Sequence, residues 1–139
     1  MKKTINKGFS LIELIIVIAI MAVLVAIIAP NLTKYLGSSK TSADKKNLDE
    51  IASTLNTCIT DYEMSNSTLI ADGDSTTITA KWTSSGLTST GNTTFDAIIN
   101  SAIEAAKCQS KENTSKWAQA VIAKDATTNS YKITMSWVS

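Results

Sequence analysis

"NKGFSLIELIIVIAIMAVLVAIIAP", Asn6 to Pro30, decides how this chain is read. From Phe9 to Ala29 the only polar side chains are Ser10 and Glu13. As a helix rising 1.5 Å per residue, that run covers roughly 30 Å, the thickness of a bilayer's hydrocarbon core. It is apolar on every side, which suits lipid or a helical bundle rather than the flank of a globular domain. Lys2, Lys3 and Lys7 precede it and place the amino end on the cytoplasmic side. Glu13 is the anomaly. An ionised carboxylate in hydrocarbon costs roughly 2.5–3.5 kcal/mol on insertion scales, so this glutamate needs a partner.

A cleaved secretory signal would also join lysines to an apolar run, but it ends in small residues one and three positions before the cut. Cutting after Ala29 places Ile27 at the outer position with Pro30 just beyond, and cutting after Ala26 places Leu24 there. No lipobox is present. The small residue suited to processing lies before the run, at Gly8.

"KGFSLIE", Lys7 to Glu13, resembles the processing site of type IV prepilins and the related pseudopilins. In that family a membrane-embedded prepilin peptidase cuts after the glycine and methylates the new amino terminus. Carried over, the resemblance implies cleavage after Gly8, N-methylation of Phe9, and Glu13 as the acidic residue of the mature helix. Residues 1–8 become a cytoplasmic leader, 9–29 a transmembrane and filament-core helix, and 30–139 the rest of the helix with a globular head. Pro30 stands where the family has its helix proline, here expected to break or bend the helix, and Tyr35 stands at a commonly aromatic position. Ala22 replaces a mid-helix glycine common in the family. Alanine favours helix by about 1 kcal/mol over glycine, which argues against local melting there.

The resemblance gives Glu13 a role. Cleavage exposes an amine on Phe9, and a subunit lifted past another can bring its Glu13 carboxylate to that neighbour's amine. A buried ion pair fixes register more than it adds affinity. The plainer alternatives are a pair within one chain, since Phe9 and Glu13 are four apart on one helical face, or snorkelling at the interface.

Beyond Pro30 the pattern becomes one-sided. Leu48, Ile51, Ala52, Leu55, Cys58, Ile59 and Tyr62 recur at helical spacing, so a long helix is expected from Phe9 to about Met64, with bending at Pro30 or around Gly37–Ser39. Thr76 to Trp82 is rich in strand formers, and Asp72-Gly73 signals a turn. Phe95, Ile98, Ile99, Ala102, Ile103 and Ala106 predict a second helix from about Thr94 to Cys108, started by Thr93 and Asp96. Tyr131, Ile133, Met135 and Trp137 alternate with polar residues and predict a strand buried on one face. Trp117 to Lys124 is its expected antiparallel partner across the turn Asp125–Ser130. The fold class is therefore α+β: a long amino-terminal helix, apolar then amphipathic, packed on a small antiparallel sheet with one further helix. This is the lollipop shape of the pilin family.

Composition removes several function classes. There is no histidine, and all thirteen basic residues are lysine. Beyond Pro30, ten lysines face eleven acidic residues, so nucleic acid is not expected as a primary ligand. Asp72 and Asp74 could be half a calcium loop, but two carboxylates are too few for six to eight oxygen ligands, and a turn is the simpler reading. Trp82, Trp117 and Trp137 could form a stacking platform for sugars or DNA; core packing is the plainer expectation. Lys45 and Lys46 read as a solvated helix face. No phosphate loop, catalytic carboxylate pair or nucleophile motif appears, so no enzyme, metal or cofactor is expected. Cys58 and Cys108 are both exported and both on apolar faces; one disulfide is expected, two buried free thiols being the alternative.

The expected function is a structural subunit of a type IV pilus-like filament, a homopolymer of this chain. Its partners would be the prepilin peptidase, the inner-membrane pilus assembly machinery and the membrane itself. Before assembly it would sit in the bacterial plasma membrane, amino terminus inside, and afterwards in the extracellular filament. The alternatives are a pseudopilin of a type II secretion or DNA-uptake machine, or a monomeric membrane-anchored binding domain.

Overall fold

The computed structural model describes residues 9–65, 68–70, 77–125 and 127–139. The leader lysines, Gly8 and the Asp72–Asp74 turn lie outside them. The elements run α1 (Leu11–Ser65), β1 (Thr77–Thr83), β2 (Gly86–Thr88), α2 (Thr93–Ala102), a 3-10 turn (Ala105–Cys108), β3 (Trp117–Lys124) and β4 (Tyr131–Val138). The class is α+β, as expected. By its contacts the chain divides into two compact units, residues 1–39 and 40–139.

In the second unit a four-stranded antiparallel sheet has the order β2-β1-β3-β4. Strands β3 and β4 form the hairpin foreseen from alternation, with Trp117 opposite Val138 and Lys124 opposite Tyr131. Its turn is built by Asp125, whose carboxylate accepts from the Thr127 and Thr128 amides while Asn129 takes a positive φ of 54°. Strand β1 pairs with β3 rather than with its sequence neighbour alone, so α2 and the 3-10 turn make the crossover. The short hairpin to β2 turns at Gly86, whose φ of 105° requires glycine.

The core follows the two periods read from the sequence. Ile51, Leu55, Cys58 and Ile59 of α1 meet Ala80 and Trp82 of β1, Ala118, Ala120 and Ile122 of β3, and Phe95 and Ile99 of α2. Ala80 lies opposite Ala120 in the register, so the middle of the buried sheet face is lined by small residues. The larger side chains of the cluster, Trp82, Phe95 and Leu55 among them, occupy the space above it. On the edge strand β4 the inward residues Tyr131, Ile133, Met135 and Trp137 are only half-buried against this core. Trp82 is sealed, and Trp117 and Trp137 are half-buried against the core, which bears out the packing expectation for all three.

Helix α2 departs from its sequence reading at both ends. Its cap is Asn92, whose side chain accepts from the Phe95 amide at 3.0 Å. Asp96 instead reaches back to the Thr90 amide and hydroxyl and to the Ser89 hydroxyl. The helix stops at Ala102; Ile103 is extended and buried, and a 3-10 turn carries the chain on to Cys108. Spacing could not show this break, because residues three apart share a face in both helix types. Ala102 and Ala106, counted on the apolar face, are exposed.

Around the far end of α1, Asn92 Nδ2 donates to the Tyr62 hydroxyl at 2.8 Å, and the Tyr62 and Phe95 rings meet edge-on at 5.7 Å. Glu63 accepts from the Tyr131 hydroxyl and the Leu69 amide. Burial, helped by that bond to Glu63, pushes the Tyr131 phenol up to about 12.

The disulfide expectation is corrected: Cys58 and Cys108 are buried free thiols. Beside Cys108, Lys107 reaches Glu50 at 3.0 Å and Ser110 reaches Asp44, so this segment lies against the stretch of α1 between those acids. Both thiols lie in the hydrophobic cluster, Cys58 on α1 and Cys108 on the 3-10 turn. Burial raises both thiol pKa values, Cys108 to about 12. Denatured, unreduced protein should therefore titrate as two thiols per chain, and the folded protein should label far more slowly than the denatured form; a titre near zero in denaturant contradicts this geometry.

Candidate processing and assembly site

Among its described residues, the first unit is a helix with no buried side chain of its own. Every large apolar side chain from Leu11 to Ile28 is exposed, and so are Leu32, Tyr35 and Leu36. Monomeric soluble proteins rarely expose an apolar patch beyond a few hundred Å². This surface demands lipid or other helices around it. Within the described residues, it is the one helix long and apolar enough to cross a membrane.

Glu13 sits in the first turn of α1, where its negative charge complements the helix dipole. Its Oε2 accepts a hydrogen bond from the Ser10 amide at 2.9 Å, while the Ser10 carbonyl accepts from the Glu13 and Leu14 amides. This is the glutamate's half of a capping box: a residue three positions into the helix reaches back to satisfy an amide that the helix leaves open. Part of the partner that Glu13 needs is thus its own backbone. The Ser10-x-x-Glu13 spacing before an apolar run is a sequence signal for this cap, and it was available without coordinates. Phe9, next to the cap, is 83% exposed, so the residue expected to become the amino terminus lies open beside the carboxylate's turn.

Pro30 does not break the helix. Helical backbone continues through it and through Gly37 to Ser39. Proline withholds one amide from the ladder. Nearby side chains bond to the backbone of the same turns: Asn31 Nδ2 donates to the Ile27 carbonyl at 3.2 Å and the Thr33 hydroxyl to the Pro30 carbonyl at 3.0 Å. Ala22 is helical, in keeping with its propensity.

Sequence reasoning missed Asp44. It lies in the second unit at 4% exposure, and its carboxylate accepts from the Ser110 hydroxyl and the Lys111 and Glu112 amides. Burial works to raise its pKa, but these three bonds together with the nearby Lys111 charge outweigh it and hold the carboxyl below the ordinary aspartate value. Nothing in "SADKK" marks this aspartate as internal. Its partners are more than sixty residues away, beyond any local pattern.

Residues 3–29 match the family described as the prokaryotic N-terminal methylation motif. Over 43 residues, 31% of this chain, the sequence is 54% identical to the type IV major pilin protein PilA of Myxococcus xanthus, covering 20% of that protein. Over 59 residues, 42% of this chain, it is 37% identical to the type IV major fimbrial protein FimA of Dichelobacter nodosus, covering 38% of it. It is also 46% identical over 46 residues to the prepilin peptidase-dependent protein A of Clostridium perfringens, which it covers by 33%. The chain thus spans between a fifth and two fifths of these curated relatives. No solved structure matches it.

Proposed function

We propose that this chain, a member of the type IV pilin family by its amino-terminal segment, is a structural subunit of an extracellular pilus filament. The observation that carries the reading is the exposed, all-round apolar helix that opens on a capped glutamate directly after Gly8-Phe9. Prepilin peptidase cuts after Gly8, removes the leader 1–8 and leaves N-methylated Phe9 as the first residue. Residues 9–29 hold the precursor in the membrane, with the amino end in the cytoplasm and the head outside. On polymerisation the same residues exchange lipid for neighbouring helices and become the filament core.

Glu13 sets the register. Its cap on Ser10 holds the carboxylate at the start of the helix, with oxygen lone pairs left to meet the Phe9 amine of the next subunit. The names of two of the three relatives are those of a major pilin and a major fimbrial protein, which favours a filament subunit over a secretion pseudopilin.

Intact-mass measurement on protein recovered from the cell surface tests the processing. The expected mass is that of a chain beginning at Phe9 with one added methyl group. A mass for a start at Met1, or after Ala29, refutes the reading; an uncut Gly8–Phe9 bond points to an anchored monomer. This chain should also be the principal subunit of filaments sheared from cells.

A further inference from the structure

The filament reading gives no role to the lysines at one end of the head. Lys40 is the first residue of the second unit, and Lys45 and Lys46 follow it on α1. The loop 110–116 is held at the same end, because the Asp44 carboxylate binds the Ser110 hydroxyl and the Lys111 and Glu112 amides. Lys111 and Lys116 thus join the three lysines of the helix. Lys45, Glu112 and Lys116 border one open cleft of about 650 Å³ beside Trp137.

All five lysines are exposed. Among the described residues the one ion pair is Lys107 with Glu50, so none of the five has a described carboxylate at pairing distance. The acids at this end are Glu112 and Asp44, and the Asp44 charge is already taken up by its three donors. The acidic part of the head begins one turn on, at Asp49 and Glu50. From there the described residues of the head carry seven acidic side chains against four lysines, the five named above aside. The head is polarised, cationic at one end and acidic over the remainder.

The chain itself decides what this end meets. Residues 9–29 lie in the membrane before assembly, and the inference rests on that reading. Eleven helical residues lead from Ala29 to Lys40, about 16 Å of rise. Lipid headgroups fill roughly the first 5–8 Å beyond the hydrocarbon, and the gap left is about one Debye length at physiological salt. Because Lys40 opens the second unit, the cationic end is the tethered end whatever angle the two units take. A tilt of the span, about 20° on average, brings one side of it lower still. A nucleic acid or a second head has to be captured from elsewhere, whereas the phosphates of the surrounding leaflet are always in reach. We propose that Lys40, Lys45, Lys46, Lys111 and Lys116 dock the head on the anionic phospholipid headgroups of the leaflet around the precursor's own helix, until assembly lifts it away. Each lysine close to an anionic surface strengthens such docking about fivefold.

The test uses the unpolymerised full chain in two kinds of nanodisc, phosphatidylcholine alone or mixed with phosphatidylglycerol, each with a little headgroup-spin-labelled lipid. A dye on Thr114→Cys, at an exposed position of the loop, reports contact with the surface by its quenching. Quenching is expected in the anionic discs and not in the neutral ones, and it should vanish in about 1 M salt, where the Debye length is about 3 Å. Lys45→Glu, Lys46→Glu and Lys111→Glu combined should shift the docked-to-free ratio by roughly a hundredfold or more and abolish it. Lys132→Glu, on strand β4, should leave it unchanged. Near-ultraviolet circular dichroism checks folding, and if the triple variant unfolds, lipid composition and salt decide. An inserted chain whose dye is quenched equally in both discs, or in neither, overturns this inference alone. So does a folded triple variant that stays docked, or release of the head by Lys132→Glu. A chain that does not enter the discs at all overturns the membrane-precursor reading, and this inference with it.

Discussion

Glu13→Ala should lower the yield of filament by roughly a hundredfold or more while the pool of processed subunit stays normal. The physical basis is the Phe9 amine of the adjoining subunit, which enters an apolar bundle with no carboxylate to meet it. Stranding one member of a buried pair costs roughly 3–5 kcal/mol, and each 1.4 kcal/mol is a tenfold change. Membrane insertion should be intact or improved, because a charge leaves the hydrocarbon. The head should fold as before, since Glu13 belongs to the other compact unit.

The cap supplies the competing explanation, and its size separates the two. Losing a helix cap costs typically about 1 kcal/mol, enough for a several-fold effect and no more. Glu13→Gln sharpens the comparison, because a glutamine carbonyl can still accept from the Ser10 amide found at 2.9 Å but carries no charge. Gln should therefore impair assembly clearly, though less than Ala. The measurement is sheared filament against processed cellular subunit. Filaments in normal amounts from Glu13→Gln cells would make the glutamate a helix cap and remove its role in register.

Asp44→Ala should destabilise the head by about 3 kcal/mol, on the order of a hundredfold in the folded-to-unfolded ratio. Three donors converge on this carboxylate, and its removal leaves the buried Ser110 hydroxyl and the Lys111 and Glu112 amides to find other partners. Asp44→Asn keeps the volume but turns an amide donor toward other donors, so it should cost somewhat less. Chemical denaturation of the full chain in detergent, followed by tryptophan fluorescence, measures both.

The pH dependence has a definite sign. Because the folded-state pKa of Asp44 lies below its unfolded value of about 3.9, its contribution is fully present above that value and is lost as pH falls through the folded pKa. The gap between parent and Asp44→Asn should thus be constant near neutrality and close below about pH 4. Asp96 and Asp125 are lowered in the same direction and remain in both proteins, so the comparison isolates Asp44. A gap that stays constant through that acid range would mean that the carboxylate's charge is not what holds the loop.

What the sequence by itself determined is whatever depends on neighbours along the chain. An apolar run of bilayer length requires no knowledge of any partner to be recognised, and neither does a glycine-phenylalanine site in front of it. The β3–β4 hairpin was legible at both strands, because alternation and a turn-forming Asp125–Ser130 segment are local properties. The Ser10–Glu13 cap was equally local and was overlooked.

Tertiary structure decided the rest. Whether the chain past Ala102 stays helical depends on where Ile103 and Cys108 find burial, and three-residue spacing fits both outcomes. Cys58 and Cys108 look alike on two apolar faces, but Cys58 lies on α1 and Cys108 on the 3-10 turn, and the packing of that turn decides that both are buried as free thiols. The same holds for the three tryptophans: strand order seals Trp82 in the centre and leaves Trp137 at an edge beside a cleft. Asp44 is the extreme case, an acid in a lysine-rich helix stretch that is buried because a loop more than sixty residues away points three donors at it. Hydrophobic period reports which way a side chain faces along its own element; which distant donors, cavities or edges wait on that side is fixed by the packing of one element on another.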